Sequence, residues 1–184
     1  MNPDETRISE FLSARGLTAT LFTSEERQAG KTPDFRVFTG NSLAFFCEVK
    51  SVIAGEIGGC QKDPTFNRLT NDLHTAAKQF DAVNPDAEVP NVLALVNHDR
   101  LCGFLDLIAV LTGNFIAEDG ENHPIYRKFS EGRIKDEKAR IHMVIWLDDF
   151  KPERVLFTRT NAGLHEKLCA FMRMNPGEIE RVDA

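Results

Sequence analysis

Asp34 follows Pro33, and one apolar hairpin later Glu48 and Lys50 flank Val49 at the end of the run Leu43-Ala44-Phe45-Phe46. On a strand, alternate side chains share a face, so Glu48 and Lys50 point one way while Cys47 and Val49 point the other. Two carboxylates brought together repel unless a cation lies between them. Hard oxygen ligands that leave positions for water and phosphate suit Mg²⁺, with Mn²⁺ as a substitute. Such an ion acidifies a bound water and offsets charge growing on a phosphate. Lys50 would orient that water or hold the phosphate. Such a set would suit metal-assisted attack of water at a phosphate.

Whether Asp34 joins the other two depends on register. Thr39-Gly40-Asn41-Ser42 is a turn signal that breaks Phe35 to Lys50 into a strand pair. A two-residue turn over Gly40 and Asn41 sets Asp34 opposite Cys47 and aims it away from Glu48. A three-residue loop over Gly40, Asn41 and Ser42 sets it opposite Glu48. A bulge near Pro33 would also correct the first arrangement. The bland account has Asp34 as a turn-start acid and Glu48 and Lys50 as a solvated ion pair. Against it, acids are uncommon in so apolar a strand.

The elements around the hairpin follow from pattern. Asn2, Pro3, Asp4 and Glu5 predict a capped helix start, Ile8, Phe11 and Leu12 its apolar stripe, and Gly16 its end. Leu17 to Phe22 alternates as a strand, and polar Thr23 to Thr32 reads as a loop. Ser51 to Pro64, with Gly55, Gly58 and Gly59, reads as a second loop without the spacing of a phosphate-binding one. Leu69, Leu73, Ala76, Ala77 and Phe80 have helical spacing within Phe66 to Val83. The run Asn91 to Val96 fits a strand buried on both faces. Then come a helix over Leu101 to Leu111, a charged excursion at about 114–140, strands over Ile141 to Leu147 and Val155 to Arg159, and a helix over Asn161 to Met174. This order predicts one α/β domain over 1–184, with a mixed central sheet and helices on both faces.

Pro33-Asp34, the hairpin, and Glu48-Val49-Lys50 resemble the motif of the PD-(D/E)xK nuclease superfamily, the restriction-endonuclease-like fold. That family shares an αβββαβ core, and the order over Asn2 to Val96 is similar to it, with the C-terminal strands and helix as additions. The resemblance implies a Mg²⁺-dependent nuclease acting on DNA, in which Asp34 and Glu48 bind metal and Lys50 is the catalytic lysine. Many members add an acid from the first helix. Glu5, on the inward side with Ile8 and Leu12, is the candidate here, whereas Glu10 falls on the opposite side. Some members add a Gln or a basic residue from the helix after the lysine; Gln79, Lys78 and Arg68 are candidates of that kind for substrate contact. A homodimer would suit two nicks on a duplex, although no residue specifies it. The alternative is an inactive module of the same fold that binds nucleic acid or a protein partner.

Other features speak against competing functions. The formal net charge is −6, which counts against a protein living on phosphate contacts alone. The basic concentration is Arg127, Lys128, Arg133, Lys135, Lys138 and Arg140, interleaved with acids. Cys47, Cys60, Cys102 and Cys169 form no CxxC pair, so they read as reduced thiols rather than a zinc site or disulfide framework. His98, before Asp99, ends the buried strand and reads as a loop-capping residue; His74, His123, His142 and His165 show no metal spacing and read as surface or core-edge residues. The start Met-Asn-Pro-Asp-Glu-Thr-Arg carries no apolar signal region, and no apolar run approaches membrane-spanning length, so the expectation is a cytoplasmic protein without a membrane partner.

Overall fold

The computed structural model describes residues 1–54, 64–117, 120–125, 137–151 and 154–181. Gly55, Gly58, Gly59, Cys60, Arg127, Lys128, Arg133 and Lys135 lie outside these residues.

Helix α1 (Pro3–Ser13) opens on a capping box. The Asn2 side chain accepts from the Glu5 amide, and the Glu5 carboxylate accepts from the Asn2 amide, both at 2.8 Å. Strand β1 (Thr18–Leu21) is followed by a short helix, α2 (Ser24–Ala29), then by β2 (Phe35–Thr39) and β3 (Ser42–Val52). Helix α3 (Pro64–Val83) leads to β4 (Asn91–Asn97) and α4 (Phe104–Thr112). A small hairpin of β5 (Asn114–Ile116) and β6 (Asn122–Pro124) comes next. Strands β7 (Met143–Asp148) and β8 (Arg154–Thr158), helix α5 (Ala162–Met172) and a terminal β9 (Glu180–Arg181) complete the described order.

The main sheet has seven strands in the order β1-β2-β3-β4-β7-β8-β9. β1, β2 and β3 form an antiparallel meander, whereas β3, β4 and β7 run parallel. β8 returns antiparallel to β7 and β9 runs parallel to β8. The sheet is therefore mixed, as expected.

Helices cover both faces. On one, Ile8 and Leu12 of α1 and Leu168 and Met172 of α5 pack on Val92, Ala94 and Ile145. On the other, Leu69, Leu73 and Phe80 of α3 and Leu107 of α4 pack on Leu93, Leu95 and Trp146. Every residue of β4 is buried, which is why its sequence is a continuous apolar run rather than an alternation. Each such large side chain contributes roughly 1.5–3 kcal/mol on leaving water. Among the described residues, no helix is long and apolar enough to cross a membrane.

One local expectation needs correction, and one stretch gains detail. The stretch Thr23 to Thr32 holds α2 instead of being all loop. Thr23 and Glu26 form a second capping box, but α2 buries none of its residues, so no apolar period marks it. In the excursion at about 114–140, residues 114–116 and 122–124 pair as β5 and β6, and 137–140 form a 3-10 turn.

The hairpin register is the detail that matters for the site. Thr39 pairs with Ser42, so the turn is the two-residue form over Gly40 and Asn41. Gly40 takes φ +57°, the left-handed region that the first central residue of a type II′ turn requires. That turn alone would aim Asp34 away. The ladder then shifts by one between Val37 and Phe38, where Phe38 faces Leu43 but Val37 faces Phe45. Ala44 is the extra residue of this bulge, and beyond it Phe35 faces Cys47. Asp34 is thereby carried to the level of Glu48. The correction comes at Ala44, not near Pro33, and no three-residue loop is needed.

Candidate functional site

Asp34 leaves the loop just before β2, while Glu48 and Lys50 project from the middle of β3 toward α3. The Asp34 amide donates to Glu48 Oε2 at 3.1 Å, and Asp34 Oδ2 accepts from the Val49 amide at 2.8 Å. Lys50 Nζ donates to Glu48 Oε1 at 2.6 Å and to Gln79 Oε1 at 3.2 Å. Gln79 in turn donates through Nε2 to the Thr32 carbonyl at 2.9 Å, tying α3 to the loop that delivers Asp34. Asp34, Glu48, Lys50 and Gln79 are thus brought together on one face.

The site carries more buried negative charge than it neutralises. Glu48 is 1% exposed. Burial, reinforced by the Asp34 charge, pushes its pKa up to about 8 against the pull of Lys50. Asp34 is raised as well, first by burial, with the Glu5 charge adding and the Val49 hydrogen bond opposing. The carboxyls act as a coupled pair that holds a proton at neutral pH in the absence of a cation.

Glu5 sits on the inward side of α1, as expected, and its charge is felt at Asp34. Its oxygens accept from the Asn2 amide at 2.8 Å and the Asn2 side chain at 3.0 Å, so it also serves as a helix cap. Glu10 is exposed on the other side. Arg68 is drawn elsewhere: it donates to Asp99 Oδ2 at 2.9 Å and to the Ile53 carbonyl, bracing the ends of β3 and β4. Lys78 is exposed on α3 and stays outside the cavity beside Asp34.

Sequence reasoning passed over Asp72. It lies on α3 four residues beyond Arg68 and on the same stripe as Gln79, the spacing that could have flagged it. Its Oδ2 is buried without a hydrogen-bond partner. Burial raises its pKa to about 6, with Lys50 and Arg68 pulling the other way. Sequence reasoning also passed over Arg27 and Lys31. With Thr32, Asp34, Thr75 and Gln79 they line a cavity of about 330 Å³ that opens beside Asp34.

Among the described residues, no group of three or more His, Cys, Asp or Glu side chains gathers as a ready-made metal cage. A Mg²⁺ ion does not require one; one or two carboxylates with waters and phosphate oxygens suffice. The orphaned Asp72 oxygen and the two raised carboxyls are what an uncompensated cation-seeking site presents. The donors therefore fit a hard divalent ion.

His98 is a structural brace. Its Nδ1 meets Asp149 Oδ2 at 2.5 Å and its Nε2 meets both Asp4 carboxylate oxygens at 3.0 Å. Ser51 donates to the same Asp4 carboxylate. His165 is buried, against expectation, because Thr158 Oγ1 lies 2.6 Å from its Nδ1 and satisfies it in the core. Cys47, Cys102 and Cys169 are free thiols, as expected.

Compared with protein-family models, curated proteins and solved structures, the chain matches none.

Proposed function

We propose that the chain is a metal-dependent nuclease that hydrolyses phosphodiester bonds in DNA, on a restriction-endonuclease-like αβββαβ core. The observation that carries this reading is the meeting of Asp34, Glu48 and Lys50 on one face, with buried negative charge in excess. The order α1, β1 to β3, α3 and parallel β4 supports the fold assignment.

Asp34 and Glu48 would hold Mg²⁺ or Mn²⁺, with Glu5 close enough to add its charge. The ion would supply Lewis acidity toward the phosphate and an activated water. Lys50, fixed by Gln79, is placed to hold the phosphate or steer the attacking water. Gln79 keeps Lys50 from collapsing wholly onto Glu48 when the carboxylate turns to other work. Burial makes each of these interactions stronger than it would be at the surface.

A second reading is an inactive module of the same fold that binds nucleic acid or a protein. Both Glu48 oxygens already accept from protein donors, the pattern of a purely structural ion pair. Calorimetry with Mn²⁺ separates the two: the nuclease binds the ion, and Glu48→Ala abolishes that binding.

The direct test incubates the protein with single- and double-stranded DNA, with Mg²⁺ or Mn²⁺ and an EDTA control. Cleavage that needs the ion, and is lost in Asp34→Ala and Lys50→Ala, is expected. Full activity in either well-folded variant would remove this mechanism.

A further inference from the structure

The cavity beside Asp34 holds cations that the hydrolytic reading does not use. Arg27 lies in the last turn of α2, and Lys31 lies just past the residue that ends that helix. Both are exposed, and neither has an ion pair among the described residues. Their neighbours are engaged. Arg36 is held by Glu26 at 2.5 and 3.1 Å and rests on the Phe22 ring, while Lys50 is held by Glu48. Glu26, the acid next to Arg27, is thereby spent on Arg36 and on the helix cap, and its pKa falls to about 2 because of them. Arg27 and Lys31 are the cations of this cavity left to meet a ligand.

The rest of the lining suits an anion with hydrogen-bonding oxygens. Thr32 and Thr75 present short polar side chains, and Gln79 forms the wall shared with the site of Lys50. A volume of about 330 Å³ is at the small end of ligand pockets, room for one nucleotide unit and too little for a duplex. Asp34 lines the same cavity, so a chain lying in it continues straight onto the paired carboxylates.

We propose that this cavity is a phosphodiester subsite for a single nucleic-acid strand, in which Arg27 and Lys31 take the phosphate adjacent to the one cut at Asp34, Glu48 and Lys50. The strand assignment rests on the nuclease reading; the anion-binding cavity does not. Helix α2 and the loop after it, inserted between β1 and β2, then act as the element that grips one strand beside the acids.

The test measures binding without cleavage. Fluorescence anisotropy follows a labelled single-stranded oligodeoxynucleotide of about ten residues, a length within the usual single-strand site sizes. The full chain is used in EDTA, between about 50 and 200 mM salt. The wild type is expected to bind. Arg27→Gln/Lys31→Gln is expected to bind at least about tenfold more weakly. Its dependence of log affinity on log salt should be shallower by about 0.7, the share of the one single-strand phosphate the two cations hold. Identical affinity and slope in the two proteins, or no binding by the wild type, overturns the subsite. Competition by a deoxynucleoside monophosphate as effective as the oligonucleotide overturns the strand assignment in favour of a free-nucleotide site. If the double variant binds weakly while Glu48→Ala still cleaves, the hydrolytic reading falls and the anion site stands. If cleavage requires Glu48 but the double variant binds like the wild type, the subsite alone falls.

Discussion

The main-chain amide of Asp34 donates to Oε2 of Glu48 at 3.1 Å, so the two acids are stitched backbone to side chain across the hairpin. This holds a carboxyl in a place where burial and a neighbouring acid lift its pKa from 4.5 to about 8. Between those two values the folded protein binds more protons at Glu48 than the unfolded chain does. Stability therefore falls as pH rises through that window. In EDTA, the melting temperature should decline from about pH 5 to 8, and Glu48→Gln should flatten the decline and melt higher than the wild type at pH 8, by about 2–4 °C for each kcal/mol of strain relieved. Mn²⁺ at pH 8 should raise the wild type and leave Glu48→Gln unmoved. Superimposable melting curves for the two proteins across the window would contradict this account of the acid pair.

Activity should separate the roles of the three residues. Asp34→Asn keeps the shape but removes a charge, and cleavage should drop by a factor on the order of 10² or more, because ion binding weakens. Added Mn²⁺ should restore part of that loss. Lys50→Ala should cost about 10²-fold in kcat without weakening ion binding, since the lysine lost also competes for Glu48 at 2.6 Å and its removal leaves the carboxylates to the ion. Steady-state rates against Mn²⁺ concentration distinguish the two patterns, and identical behaviour of the variants would break the division of labour.

Gln79 is a positioning residue. Its Oε1 accepts from Lys50 at 3.2 Å, and its Nε2 reaches the Thr32 carbonyl at 2.9 Å. Gln79→Ala frees both the lysine and the loop before Asp34. Each lost hydrogen bond costs about 1 kcal/mol of stability. The diagnostic effect is kinetic: kcat should fall about tenfold with KM nearly constant, as for an interaction that matters only when the lysine must be aimed. A rise in KM with kcat unchanged would instead make Gln79 a substrate-binding residue.

These features differ in how far the residue order discloses them, for physical reasons. Parallel β4 is legible because burial on both faces demands an unbroken apolar run. The turn at Gly40 is legible because few residues tolerate its backbone. The bulge at Ala44 is not, since an alanine that adds one residue to a ladder carries no chemical mark, yet it decides which way Asp34 faces. Helix α2 was visible in its Thr23 and Glu26 box and invisible in its periodicity. Asp72 shows its spacing but not its burial. The partners of His98 come from positions 4 and 149, so only the folded chain reveals them.

That His98 brace yields a pH dependence of its own. Both ring nitrogens face carboxylate oxygens, Asp149 on one side and Asp4 on the other, so both are donors only when the ring is charged. Arg7 from α1 also bonds Asp149 at 2.5 Å, and the neutral Ser51 hydroxyl from β3 bonds Asp4, so the charged groups around the ring come from α1 and the turn after β7. Burial works against the charged ring most strongly, but the hydrogen bonds it donates to Asp4 and Asp149 together outweigh it and raise the pKa above 6.5. A raised histidine pKa contributes stability that is complete below the unfolded value and is lost as pH climbs through the folded value. With the ring partly exposed and screened by water, the contribution is at most about 1 kcal/mol, so the gap should not exceed roughly 2–4 °C. His98→Gln should therefore melt lower than the wild type near pH 6, and the gap should close above the folded pKa, where the neutral ring can donate to only one acid. Because Glu48 weakens the protein over an overlapping range, the comparison is made in the Glu48→Gln background, where the difference in slope between the proteins with and without His98 belongs to the ring. A gap between the two proteins that stays constant from pH 6 to 9 would show that the brace works without its charge.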